Sequence, residues 1–171
     1  NTVYAYPLEG YWRDVGTIES YWQAHMDLLD DTPELLLDDP AWPILTREPQ
    51  RLPAHIHASA RIENSLIAPG CVVRGEVSHS VLGPGVVVAE GALVRDSVIF
   101  ADTRIERGAS VANAILDTKG VVGEGATVGE APPHGEREIT LVGLAVEVAE
   151  GERVAAGEHL APPEEAEEGG S

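Results

Sequence analysis

The sequence predicts a mainly β protein built on a parallel β-helix, and three observations predict it. Aliphatic residues recur at short, regular steps through the middle of the chain: Leu82, Val88, Val94, Ile99, Ile105, Val111, Leu116, Val122 and Val128 are separated by 6, 6, 5, 6, 6, 5, 6 and 6 positions. Every third member lies 17 residues on, as with Leu82, Ile99 and Leu116. The surrounding text repeats with them: Ser80-Val81-Leu82, Ser97-Val98-Ile99 and Ala114-Ile115-Leu116, with Ser65-Leu66-Ile67 earlier and Ile56 and Ile62 at the start.

A helix places apolar residues about 3.6 apart and an ordinary strand about 2 apart. A step near 6 that closes after three steps suits a triangular coil of three short strands. One aliphatic side chain per side then points inward and stacks on the coil above. Corners call for turn formers, and Pro69-Gly70, Pro84-Gly85, Glu90-Gly91, Arg107-Gly108 and Glu124-Gly125 supply them. Four residues after an inward position the side chain is small, as at Ala92, Thr103, Ala109 and Ala126. Such coils touch only their neighbours, so the unit is a solenoid. The repeat breaks over 131–138, where a loop is expected, and resumes with Val142, Val148 and Val154. The β-helix is placed at 54–160.

The ends read differently. Residues 1–16 mix Tyr, Trp, Pro and Gly and read as a strand and loop. Residues 17–29 read as a helix: Thr17 suits an N-cap, Glu19 favours the positive helix end, and Ile18, Tyr21, Trp22, His25, Leu28 and Leu29 recur at helical spacing. Residues 1–30 are assigned together. Residues 31–53, with Pro33, Pro40, Pro43, Pro49 and Pro53, read as a linker with one short helical turn at Glu34–Leu37. Residues 161–171, rich in Pro, Glu, Gly and Ala, read as a disordered acidic tail.

The net charge is −18. Residues 1–50 hold two basic and ten acidic residues, residues 51–130 seven and nine, and residues 131–171 two and ten. Acidic flanks on a nearly neutral middle argue against a nucleic-acid partner, which needs a basic face. No stretch is long and apolar enough for a transmembrane helix, so no membrane partner is expected. One cysteine excludes an internal disulfide, and a cytosolic location is the simplest reading. The chain starts at Asn1, which is compatible with a fragment.

A β-helix alone names no activity. Stand-alone acyl transfer would need a histidine base, for which His55, His57 and His79 are the candidates. His79 sits in Val77-Ser78-His79-Ser80, near a corner, and reads as solvated. His55 and His57 flank the inward Ile56, so alternation places both outside; they read as surface residues, with no third ligand to complete a metal site. Cys71 reads as a small core or corner residue. No Gly-rich phosphate loop of the usual form is present.

The segment Glu9-Gly10-Tyr11-Trp12-Arg13-Asp14-Val15-Gly16-Thr17-Ile18-Glu19-Ser20-Tyr21-Trp22 resembles the close of the catalytic domain in sugar-phosphate nucleotidylyltransferases. Its Trp-Arg-Asp-Val-Gly-Thr form, followed by Tyr-Trp, is nearest to the glucose-1-phosphate adenylyltransferases. Trp42-Pro43-Ile44-Leu45-Thr46 and Leu52-Pro53-Ala54 resemble that family's linker, and the coils at 64–71 and 90–99 resemble its β-helix. The resemblance covers roughly residues 6–129. It implies a left-handed β-helix preceded by the strand-loop-helix end of an α/β nucleotidyltransferase domain. It implies a reaction of ATP with glucose 1-phosphate giving ADP-glucose and pyrophosphate for glycogen synthesis. It further implies Mg²⁺ as cofactor, with Asp14 as a metal ligand, and a homotetramer under metabolite control. Arg13 is read as a loop residue, and Trp12 and Trp22 as core. Catalytic and substrate-binding residues are expected upstream of Asn1, which would leave this chain inactive alone. A related guanylyltransferase for mannose 1-phosphate, a stand-alone hexapeptide acyltransferase and a purely structural module are the alternatives.

Overall fold

A computed structural model describes residues 3–7, 9–45, 50–129 and 137–162. From His55 to Leu160 the chain winds through six coils of three short strands, and each strand pairs in parallel with its counterpart one coil on. Three six-stranded parallel sheets result. Side A carries His55–Ile56, Val72–Val73, Val87–Val88, Arg104–Ile105, Val121–Val122 and Glu147–Val148. Side B carries Arg61–Glu63, Glu76–Ser78, Leu93–Arg95, Ser110–Ala112, Thr127–Val128 and Arg153–Val154. Side C carries Leu66–Ile67, Val81–Leu82, Val98–Ile99, Ala114–Leu116, Thr140–Val142 and His159–Leu160.

The register explains the 17-residue period. Val88 aligns with Ile105 and Val122, Val94 with Val111 and Val128, and Leu82 with Ile99. Every side chain in those three columns is buried, and the columns form one continuous core. Val142, Val148 and Val154 extend the columns, paired with Leu116, Val122 and Val128 across the longer insertion. The first coil is less complete: Ile56 is 44% exposed because no coil lies beneath it.

Corners are built by two devices. Between sides A and B, Gly91, Gly108, Gly125 and Gly151 sit at positive φ, where a Cβ is disfavoured. Between sides B and C the same conformation is taken by Asn64, His79, Asp96 and Asn113; three of these are the Asn and Asp types that tolerate it best. The repeated serines finish that corner. The Ser80 hydroxyl donates to the Ser78 carbonyl at 2.8 Å and accepts from the Ser97 amide at 3.1 Å. Ser97 does the same with Arg95 (2.7 Å) and Ala114 (3.2 Å). Buried polar groups in such a corner are costly unless paired, and the ladder pairs them.

One helix, α1 (Ile18–Met26), precedes the solenoid and runs into a 3-10 turn at Asp27–Leu29. Thr17 caps it: its hydroxyl accepts from the Ser20 amide, and the Ser20 hydroxyl accepts from the Thr17 amide, both at 3.1 Å. Trp22, Met26 and Leu29 are buried against Val98, Ile115 and Ile139, so the helix lies on the outer face of side C. That face is apolar at every described coil from Leu66 to Leu141, which is why it takes the helix.

Three expectations need correction. No strand forms among the described residues before His55, since an extended segment needs a partner strand and none is alongside. Glu34–Leu37 shows bends and a turn rather than a helical turn, as expected of so short a run between Pro33 and Pro40. Trp12 is 72% exposed and outside the core. The loop expected at 131–138 falls mostly, and the acidic tail of 161–171 almost wholly, outside the described residues.

The end of the linker is fixed by charge. The Arg51 guanidinium donates through Nη1 and Nη2 to both Asp102 carboxylate oxygens, at 2.6 and 3.0 Å. Its path crosses Gly85, where a Cβ would collide with the guanidinium, and Gly70, where a Cβ would press on the arginine stem. The arginine holds Asp102 below the usual carboxylate range, chiefly by the side-chain hydrogen bond.

Two outcomes are expected. Leu116→Ala lowers the unfolding free energy by about 2–5 kcal/mol in equilibrium denaturation, whereas Leu93→Ala, on the half-exposed outer face of side B, costs well under half as much. For the Arg51 pair, a depressed carboxylate contributes stability above its unfolded pKa and loses it as pH falls through the folded one. Asp102→Asn therefore lowers the melting temperature modestly at pH 7, and the gap from wild type closes as the pH drops below the carboxylate range. A gap that stays constant down to pH 2 would contradict the pairing.

Candidate functional site

The residues that carry the resemblance lie in the loop Tyr11–Gly16, directly ahead of the Thr17 cap. Both sides of this loop are anchored. The Tyr11 hydroxyl donates to Asp27 at 2.9 Å, Arg13 forms an ion pair with the same Asp27 oxygen at 2.6 Å, and Arg13 Nε donates to the Tyr11 hydroxyl at 3.2 Å. Partial burial pushes the Asp27 carboxyl up, but hydrogen bonds from Gln23 and Tyr11 and the Arg13 charge outweigh it and hold it below the usual range. Arg13 is thus a loop-fixing residue, as its sequence context suggests.

Asp14 stands between these anchors and the cap. It is exposed, its carboxylate folds back over Gly16, and it makes no hydrogen bond or ion pair among the described residues. Among the described residues no group of three or more His, Cys, Asp or Glu gathers to hold a metal. Asp14 is therefore a single hard oxygen donor on a braced loop. That suits Mg²⁺, which keeps several waters and takes one or two carboxylates together with substrate phosphates.

Beyond Asp14, the loop opens onto a cleft of about 390 Å³ between Val15–Thr17, α1 and the outer face of side C. Ile18, Tyr21, Phe100 and Ile115 make it largely apolar, with Asp117 at its edge. Burial, with the Asp117 charge in support, raises the Tyr21 phenol above its ordinary range, so Tyr21 is a neutral hydroxyl at physiological pH. The loop is held to the solenoid through the helix. Trp22 Nε1 donates to the Asp96 carbonyl at 2.8 Å, and the Arg137 guanidinium lies 4.7 Å over the Trp22 ring.

Other sequence candidates fall elsewhere. His79 Nδ1 meets Asp96 Oδ1 at 2.7 Å, and its side chain is 40% exposed at the corner between sides B and C. Cys71 is buried in the solenoid core with its Sγ donating to the Gly83 carbonyl at 3.2 Å, and burial pushes its thiol up and away from reactivity. His55 and His57 lie together on the outside of side A. Sequence reasoning missed Tyr11, Met26 and Asp27. The helical spacing from Trp22 points to Met26, but nothing in one sequence marks a Tyr and an Asp sixteen residues apart as partners.

Comparison with known proteins finds relatives of both parts of the chain. Residues 51–148 match the family described as GlmU-like, C-terminal hexapeptide, and residues 1–31 match the nucleotidyl transferase family. A glucose-1-phosphate adenylyltransferase of Desulforamulus reducens is 44% identical over 127 residues, covering 74% of this chain and 32% of that protein. A glucose-1-phosphate adenylyltransferase of Bacillus cereus (strain Q1) is 45% identical over 124 residues, covering 72% and 33%. The chain thus spans about a third of the length of the curated relatives it matches. With six hexapeptide coils in register and a matched nucleotidyl transferase segment ahead of them, the chain belongs to the GlmU-like, C-terminal hexapeptide family.

Proposed function

We propose that this chain is the carboxy-terminal portion of a glucose-1-phosphate adenylyltransferase, a cytosolic enzyme of glycogen synthesis. One observation carries the reading: relatives of that name match it over 127 and 124 residues, longer than the hexapeptide match alone, so the likeness extends beyond the coils. In this reaction a phosphate oxygen of glucose 1-phosphate attacks the α-phosphorus of ATP. The bond from that phosphorus to the bridging oxygen of the β-phosphate breaks, giving ADP-glucose and pyrophosphate. Such chemistry rests on positioning and charge neutralisation more than on a covalent nucleophile.

The geometry supports a share for this chain's own residues. Asp14 presents an unpaired carboxylate to solvent on a loop braced by Tyr11, Arg13 and Asp27, so it offers a cation ligand of fixed position. A magnesium ion held there would neutralise phosphate charge. The substrate contacts belong to parts of the enzyme outside this chain. The solenoid's share is to carry α1 and its loop and to join subunits, in a homotetramer under metabolite control. No described helix is long and apolar enough to cross a membrane.

In the whole enzyme, Asp14→Asn should cut ADP-glucose formation by about a hundredfold or more and raise the Mg²⁺ concentration needed for half-maximal rate. Unchanged turnover and Mg²⁺ dependence would remove Asp14 from the site. A whole enzyme that prefers GTP with mannose 1-phosphate over ATP with glucose 1-phosphate would overturn the substrate reading.

A further inference from the structure

His55 and His57 are left over by the reading above. They lie far from Asp14 in the chain, at the start of the solenoid, and take no part in the core. Ile56 aligns with the buried Val73 of the next coil, so both imidazoles project from the same outer face of side A. The ladder holds them there: the His55 amide donates to the Cys71 carbonyl at 2.8 Å and the His57 amide to the Val73 carbonyl at 2.9 Å.

Their side chains are arranged in an unusual way for surface residues. The two rings stack with centroids 4.2 Å apart and planes 21° from parallel. Two imidazolium ions would repel at that distance. His57 Nε2 is shielded from water and has no hydrogen-bond partner. A shielded ring nitrogen without a partner is costly. An unprotonated ring nitrogen is the atom through which imidazole binds a metal.

We propose that His55 and His57 form a two-histidine chelate for a divalent transition-metal ion of the zinc class on the outer face of side A. Residues i and i+2 of a strand put their side chains about 6.6 Å apart at the backbone. Zinc–imidazole bonds are roughly 2.0–2.1 Å long, so binding turns the stacked rings and carries His57 Nε2 out of its shielded position toward the ion. Imidazole selects zinc, copper and nickel, whereas magnesium prefers oxygen, so this site is chemically separate from Asp14. Two protein ligands leave the remaining positions to water. The site needs neither the adenylyltransferase reaction nor its substrates.

The test is calorimetric titration of the tag-free chain with zinc chloride, checked by competition with a chromogenic chelator. Wild type should bind one ion per chain. His55→Ala and His57→Ala should each weaken binding by about tenfold or more, and magnesium chloride should give no binding at this site. His57→Gln, which keeps the side chain's bulk and the fold, should lose binding as the alanine variant does. His79→Ala should bind as wild type does. Failure of wild type to bind zinc, or undiminished binding by the chain lacking both His55 and His57 imidazoles, would overturn the proposal.

Discussion

The vertical stacking of inward aliphatic side chains in the solenoid is the constraint on which everything else rests. Strands of two or three residues have little stability of their own. They persist because each parallel ladder sets one buried branched side chain on another, coil after coil, with Val88 beneath Ile105 beneath Val122 on side A and equivalent columns on sides B and C. Fixed columns force fixed corners. Corners in turn demand either glycine at positive φ or a residue that tolerates it, and on the B–C edge the Ser65, Ser80 and Ser97 hydroxyls absorb the amides that the bend would otherwise strand.

The same register creates the outer faces. On side C, Val81, Val98 and Ile115 line up as the residues just before the inward column, and so form an apolar stripe on the outside. That stripe explains why α1 docks where it does. Trp22 is buried in that contact, and its indole nitrogen finds the Asp96 carbonyl instead of being buried unpaired. The corner conformation of Asp96 places that carbonyl, so the helix is positioned by solenoid geometry as much as by its own sequence.

Much of the solenoid was legible because its signal is periodic and local. The 17-residue spacing marked the inward columns from Leu82 to Val128, and the Ser-aliphatic-aliphatic text marked the strands of side C. The irregular early coils were harder: Ile62 aligns with Val77 and Ile67 with Leu82, fifteen residues on, because only four positions separate Val73 from Val77. Long-range charge pairs left no local trace. Arg51 and Asp102 are 51 residues apart, and no periodicity links them. Trp12 was misread because large aromatics are usually buried, and hydrophobicity alone does not show which way a loop residue faces. Asp14 was legible only through the motif around it. Its exposure and the bracing by Tyr11, Arg13 and Asp27 are three-dimensional facts.

The contact between Trp22 and Asp96 has a mechanical consequence. From the B–C corner, the path runs through the indole into α1, from the end of α1 through Asp27 to Arg13 and Tyr11, and from there to the backbone of Asp14. The solenoid and the Asp14 carboxylate are thus joined by one continuous run of contacts, and a rotation of the coils would reach the loop through it.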